Sequence, residues 1–174
     1  MFGDPSLFAV EVCRESFKAH GVWGRMCLHI QGMAFGDINE PSCCLAHACS
    51  ELGRLALNVT SLWHESFDSL DGGEVYELLD CALFRDTGQS LTEAQRDWDI
   101  YGRHVFLTNW GEQFDRAPKC FVIGNSASVF ILWRNDDDTQ HQAMLPPETF
   151  VEVSASAYEW YKSARQQDVV NREM

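Results

Sequence analysis

Alternating apolar and polar residues in the first thirty positions restrict this part of the chain to paired strands. Apolar side chains occupy every second position over residues 8–12 and again over 22–30. A period of two is typical of a half-buried β-strand. Residues 18–21 supply the connection, in which Gly21 is free to take a positive φ. The sequence therefore predicts an N-terminal antiparallel hairpin.

Three later segments show helical spacing instead. Pro41 and a candidate N-cap, Ser42, precede an apolar stripe over residues 45–59, and Asp71 begins a second helix with a buried stripe up to residue 83. A third helix opens at Pro147, where a missing N–H costs nothing, and continues to residue 164. Its stripe includes Trp160 or Tyr161. We expect the polar tail after about residue 167 to fray.

A second group of strands lies between these helices. Unbroken apolar runs at 105–107, 120–123 and 129–133 predict strands covered on both faces, and 142–145 predicts a final strand. The polar segment 85–103 has no sustained periodicity and is predicted to be a long surface loop. Strands and helices thus occupy separate blocks, which predicts an α+β fold, mostly antiparallel sheet with about three packed helices.

Length and charge limit the classes of partner. The 174 residues fit one domain, 1–174, large enough to fold without disulfides or metals. Thirteen Lys and Arg residues against 26 Asp and Glu residues give a net charge of −13. Such a charge disfavours nucleic acid and anionic membrane surfaces and favours a basic protein partner. The sequence leaves the oligomeric state open.

The cysteines and the N-terminus indicate a cytoplasmic protein. No apolar stretch approaches the ~20 residues of a membrane helix, and residues 1–5 have neither the basic nor the apolar region of a signal peptide. Seven cysteines are an odd number, and none forms a CxxC pair. We expect reduced thiols packed as small hydrophobic side chains.

The densest group of metal-ligating residue types lies at the start of the first predicted helix and consists of Cys43, Cys44, His47 and Cys49. Cys43 and His47 at i and i+4 could share a metal, but no second pair with zinc spacing occurs, which favours packing. A thiol nucleophile at Cys43 or Cys44, with His104 or His141 as base, stays open. Phosphate-loop and nucleophile-elbow motifs are absent. We therefore expect no bound metal or cofactor.

Acidic residues offer a second group of candidates. Asp97 and Asp99, in the predicted loop, could act as acid and base or as cation ligands, although a solvated loop explains them as well. Asp136, Asp137 and Asp138 lack the spacing of a calcium loop and fit an acidic turn or a patch for a basic partner.

Three short motifs resemble a known family. Phe2-Gly3-Asp4-Pro5-x-x-Phe8-Ala9-x-Glu11, Trp23-Gly24-Arg25-x-Cys27 and Asn109-Trp110-Gly111-Glu112-x-Phe114-Asp115 are similar to immunity proteins of bacterial polymorphic toxin systems, in the group labelled immunity protein 42. The resemblance implies a non-enzymatic cytosolic protein that binds and neutralises a cognate toxin. Glu112 and Asp115 become candidate contacts, although a capped turn would explain them equally.

Three functions are thus open. A toxin-neutralising protein would use residues 136–138 together with the 85–103 segment around Asp97 and Asp99. A structural or adaptor subunit of a larger assembly is the alternative, and a small enzyme using Cys and His or paired carboxylates is the third.

Overall fold

The computed structural model describes residues 1–15, 21–41 and 43–170. The first sheet is antiparallel, in the order β1-β2-β3-β4, with β5 also paired to β3. Its strands are β1 (Phe2–Asp4), β2 (Phe8–Arg14), β3 (Trp23–Ile30), β4 (Met33–Phe35) and β5 (Cys43–Cys44).

The predicted hairpin is confirmed as the pair β2 and β3. Val10 lies opposite Leu28 in the register, and both side chains are fully buried. Gly21 has a φ of +148°, as the turn prediction requires. The rest of the predicted turn, residues 18–20, lies outside the described residues.

The second sheet is antiparallel in the order β6-β7-β8-β9. Its strands are β6 (Val105–Phe106), β7 (Cys120–Gly124), β8 (Val129–Arg134) and β9 (Gln140–Leu145). Alternate residues of β7 enter two different cores, because Val122 faces the first sheet whereas Phe121 packs under a helix. The prediction of strands covered on both faces is confirmed.

The helices are α1 (Ala46–Asn58), α2 (Gly72–Phe84), α3 (Leu91–Tyr101) and α4 (Pro147–Val170). Helices α1 and α4 pack on each other and join the core between the sheets. Helix α2 covers the other face of the second sheet. Antiparallel sheets with separate helices confirm the α+β class.

Two helix starts match the sequence. Asp71 and Glu74 form the reciprocal capping box of α2, with the Asp71 carboxylate accepting from the Glu74 N–H at 2.9 Å. Pro147 is the first residue of α4. Of the two alternatives for its stripe, Tyr161 is buried and Trp160 is half-buried.

The start of the first helix was predicted wrongly. Helix α1 begins at Ala46 after Leu45, which supplies no side-chain cap. The two cysteines before it instead form strand β5, because their backbone pairs with Trp23 and Gly24 of β3. Ser42, the predicted cap, lies outside the described residues.

The segment 85–103 is not the long loop that its composition predicted. It contains α3, whose N-terminus is fixed by a capping box between Ser90 and Glu93. Helix α3 contains no buried residue, although four of its apolar residues, at positions 91, 94, 98 and 101, have helical spacing. Over the described ranges, no helix combines the length and apolar character needed to cross a membrane.

Candidate functional site

The cysteine-rich segment does not form a metal centre among the described residues. Cys43 lies on β5 rather than on a helix, so its predicted i, i+4 relation to His47 is wrong. Cys49 is fully buried in the core, and burial raises the pKa of its thiol to about 12. Cys44 and His47 are exposed. The four side chains thus point into different surroundings.

The two candidate base histidines are engaged elsewhere. His104 is fully buried and donates through Nδ1 to the carbonyl of Val122 at 3.1 Å. Burial lowers its pKa to about 4, so its ring is neutral at pH 7. His141 stacks on Trp133, with ring centroids 5.3 Å apart, and its Nε2 lies 2.9 Å from Nδ2 of Asn135. Burial also raises the pKa of Cys43, which disfavours a reactive thiolate there.

The three consecutive aspartates form the exposed turn between β8 and β9. The Asp138 N–H donates to the carbonyl of Asn135 at 2.9 Å, and Asp138 has a φ of +65°. Asp137 accepts from the Thr139 N–H, and this hydrogen bond lowers the pKa of its carboxyl. Asp136 makes no side-chain hydrogen bond or ion pair to a described residue. Its charge is therefore available to a partner.

An ion-pair network anchors this turn to α2. Arg134 binds both Asp138, at 3.2 Å, and Glu77. Arg85 then bridges Glu77, at 2.7 Å, and Asp80, at 2.6 Å. The network therefore reaches the beginning of the 85–103 segment.

Asp80 is the buried member of the network and extends it to β7. Lys119, directly before β7, also binds its carboxylate. Burial opposes ionisation of Asp80, but the hydrogen bonds from Lys119 and Arg85 outweigh it and hold the pKa below its usual value.

Asp97 and Asp99 lie on α3 rather than in a loop. Asp97 is half-buried, and Asp99 is exposed and accepts from Nε2 of Gln95 at 2.8 Å. Trp98, which lies between them in sequence, is 50% exposed, a large fraction for a tryptophan. The ion pairs of the turn that carries Asp136–Asp138 reach this segment at Arg85, at the end opposite to Asp97 and Asp99.

Glu112 and Asp115 line a cleft of about 320 Å³ formed by two connecting segments. A 3-10 turn, Glu112–Phe114, forms one wall, and residues 37–40 after β4 form the other. The walls are joined because the Asp37 N–H donates to the carbonyl of Gln113 at 2.8 Å. Among the described residues, four carboxylates and one cation line this cleft: Asp37, Glu40, Glu112, Asp115 and Arg116.

The cleft also holds an amide without a protein partner. The Gln113 side chain is 2% exposed, and neither its Oε1 nor its Nε2 is hydrogen-bonded within the described part of the chain. The carboxylates that line the cleft can accept a guanidinium or ammonium group. We call these residues, together with the 135–139 turn, the acidic surface.

Two of the four carboxylates of the cleft were missed by sequence reasoning. Asp37 and Glu40 stand in a short polar segment after β4, and nothing local distinguishes them from any solvated turn. Their only sequence signal is Gly36, whose φ of +92° and close approach to Phe114 dock the segment.

Comparison with known proteins decides the family. The family model of immunity protein 42 matches residues 1–160. The chain belongs to the immunity protein 42 family. Among solved structures, the crystal structure of CdiI from Burkholderia dolosa AUO158 is similar in fold, with a TM-score of 0.57 at 14% identity. The match covers 89% of this chain and 96% of that one. No curated protein matches the sequence at a significant level.

Proposed function

We propose that this immunity protein neutralises a cognate protein toxin by binding it and masking its active or substrate-binding surface. The observation that carries the proposal is the family match over residues 1–160. The net charge of −13 favours a basic toxin, for which charge complementarity raises the association rate and the specificity.

The acidic surface is the proposed contact. Its cleft offers four carboxylates to a basic side chain. The turn between β8 and β9 adds Asp136, whose charge no described residue neutralises. All of these carboxylates are exposed, so their charge acts mainly on the association rate and the specificity.

Helix α3 is a second candidate contact. Its residues are nowhere buried, yet a capping box fixes its start, so it is an ordered but weakly supported element. Trp98 is 50% exposed and is flanked by Asp97 and Asp99. Trp is enriched at interface hot spots, which supports α3 as an extension of the contact.

Binding rather than catalysis is the proposed mode of action. The neutral ring of His104 and the raised thiol pKa values at Cys43 and Cys49 support this, because neither an accessible base nor an activated thiolate accompanies them. The seven cysteines are all free, which supports a reducing cytoplasm as the place of action. We also propose that residues 1–174 act as one domain.

The first test is affinity capture of the tagged protein from its native cells, eluted with a salt gradient and identified by mass spectrometry. We expect one basic partner, released at high salt, that arrests growth when expressed alone. A stoichiometric complex with a non-toxic partner would instead support the adaptor alternative.

Charge-reversal variants test the contact surface against that partner. Glu112→Lys with Asp115→Lys, and Asp136→Lys separately, should each weaken binding and flatten its dependence on salt. Glu152→Lys is the matched control, because this exposed glutamate on α4 lies outside the acidic surface. Unchanged affinity in the cleft and turn variants, with a loss in Trp98→Ala, would move the contact to α3.

A further inference from the structure

Three metal-ligating side chains meet on the face of the first sheet that points away from the main core. Glu11 of β2 is the direct register partner of Cys27 of β3, and His29 follows two residues later on the same face. Both strands lie inside the sheet, so the backbone holds the three positions in fixed relation. Cys27 is 1% exposed, whereas the side chains of His29 and Glu11 are 18% and 35% exposed. The group is thus largely buried but open on the carboxylate side.

The three ligand atoms converge on one another. Nε2 of His29 lies 2.9 Å from Oε2 of Glu11 and 3.4 Å from Sγ of Cys27, and Sγ lies 3.9 Å from Oε2. Around a tetrahedral zinc ion with ordinary bond lengths, neighbouring S, N and O ligands are about 3.4 to 3.6 Å apart. The observed separations differ from these by about half an ångström or less.

The geometry does not fit a catalytic triad. In a triad the histidine uses one ring nitrogen for the nucleophile and the other for the acid. Here the same atom, Nε2 of His29, faces both the thiol and the carboxylate. Burial, with the nearby Glu11 charge, also raises the pKa of Cys27 to about 11, which leaves the thiol unactivated. A simple His–Glu ion pair explains the contact with Glu11 but not the thiol directed at the same nitrogen.

We propose that Glu11, Cys27 and His29 form a zinc site, with three protein ligands and water in the fourth position. A thiolate, an imidazole and a carboxylate together suit Zn²⁺, whose tetrahedral sites accept sulfur, nitrogen and oxygen donors. The carboxylate of Asp37 acts electrostatically on Cys27 and adds negative potential around a cation. Among the described residues, this is the one group of three or more such side chains within ligand distance.

Cobalt titration of the reduced, metal-stripped protein tests the site without reference to any toxin. A thiolate-to-cobalt charge-transfer band should appear in the near ultraviolet, saturate at one equivalent and disappear when Zn²⁺ is added. Cys27→Ala should abolish the band. His29→Gln should weaken cobalt binding by more than about 100-fold, because even outer-shell partners are worth about 10- to 100-fold.

Cys13→Ala is the matched control. Cys13 is an exposed thiol on β2, two residues after Glu11 and opposite Arg25, and its loss should leave the band unchanged. The proposal is overturned if the folded protein gives no saturable band, or if the band survives in Cys27→Ala. If circular dichroism shows that Cys27→Ala does not fold, the test moves to His29→Gln. The proposal is then overturned if His29→Gln still binds one equivalent of cobalt as tightly as wild type.

Discussion

Protonation of His104 should destabilise the fold as the pH drops below 6.5. Its ring is fully buried, and burial lowers its pKa from 6.5 to about 4. In this interval the unfolded chain binds a proton at His104 that the folded protein excludes, so stability falls with falling pH. A tenfold difference in proton affinity is worth about 1.4 kcal/mol, which makes the full loss about 3 kcal/mol below pH 4 and about 2 kcal/mol at pH 5.

Urea unfolding of wild type and His104→Asn at pH 7.5 and pH 5 measures this term. The asparagine Nδ2 can take the place of Nδ1 and donate to the Val122 carbonyl. We expect the variant to be less stable than wild type at pH 7.5, because the smaller side chain leaves a cavity. Between pH 7.5 and pH 5, however, its free energy of unfolding should fall by about 2 kcal/mol less than that of wild type. Changes at carboxylates cancel in this difference. An equal fall in the free energy of unfolding of both proteins would refute the claim that His104 is buried in its neutral form.

Two further predictions concern the cleft and the thiols. Gly36→Ala should lower the free energy of unfolding by about 1–3 kcal/mol, because φ is +92° and the new Cβ would lie 2.8 Å from the Phe114 ring. Gly32→Ala, at φ +81° with nothing within 4 Å, should lose less in the same urea measurement, and an equal loss would contradict the contact. In the native, reduced protein Cys13 and Cys44 should react rapidly with a thiol reagent and the four buried cysteines only on unfolding. Rapid native-state reaction of more than three thiols would contradict this burial.

The strands could be predicted because their signal is local. A period of two over residues 8–12 and 22–30 fixes both the strands and the face that each buries, and the pairing of β2 with β3 follows from the short connection. The capping box could likewise be predicted, because both of its hydrogen bonds join residues within the four-residue segment from Asp71 to Glu74.

The helix errors have physical causes. Helix α3 buries no residue, and the helical spacing of its apolar positions 91, 94, 98 and 101 is hidden in a segment of polar composition, whose start is indicated by the pair Ser90 and Glu93. The start of α1 is displaced because Cys43 and Cys44 gain backbone hydrogen bonds from β3, a contact that no local pattern encodes.

The candidate sites depend still more on distant contacts. The two walls of the acidic cleft are far apart in sequence and are joined by the hydrogen bond from the Asp37 N–H to the Gln113 carbonyl. The sequence did place Glu11, Cys27 and His29 at alternating positions of two paired strands. Their convergence required the register, in which Glu11 lies opposite Cys27.

Growth protection by the wild-type protein and its cleft variant tests the central claim most directly. Cells would express the captured basic partner alone, with the wild-type chain, or with the chain carrying Glu112→Lys and Asp115→Lys. We predict arrest with the partner alone, full growth with the wild type, and arrest again with the folded double variant. Arrest that the wild-type chain does not relieve would contradict the immunity function, and full protection by the double variant would contradict the cleft as its contact.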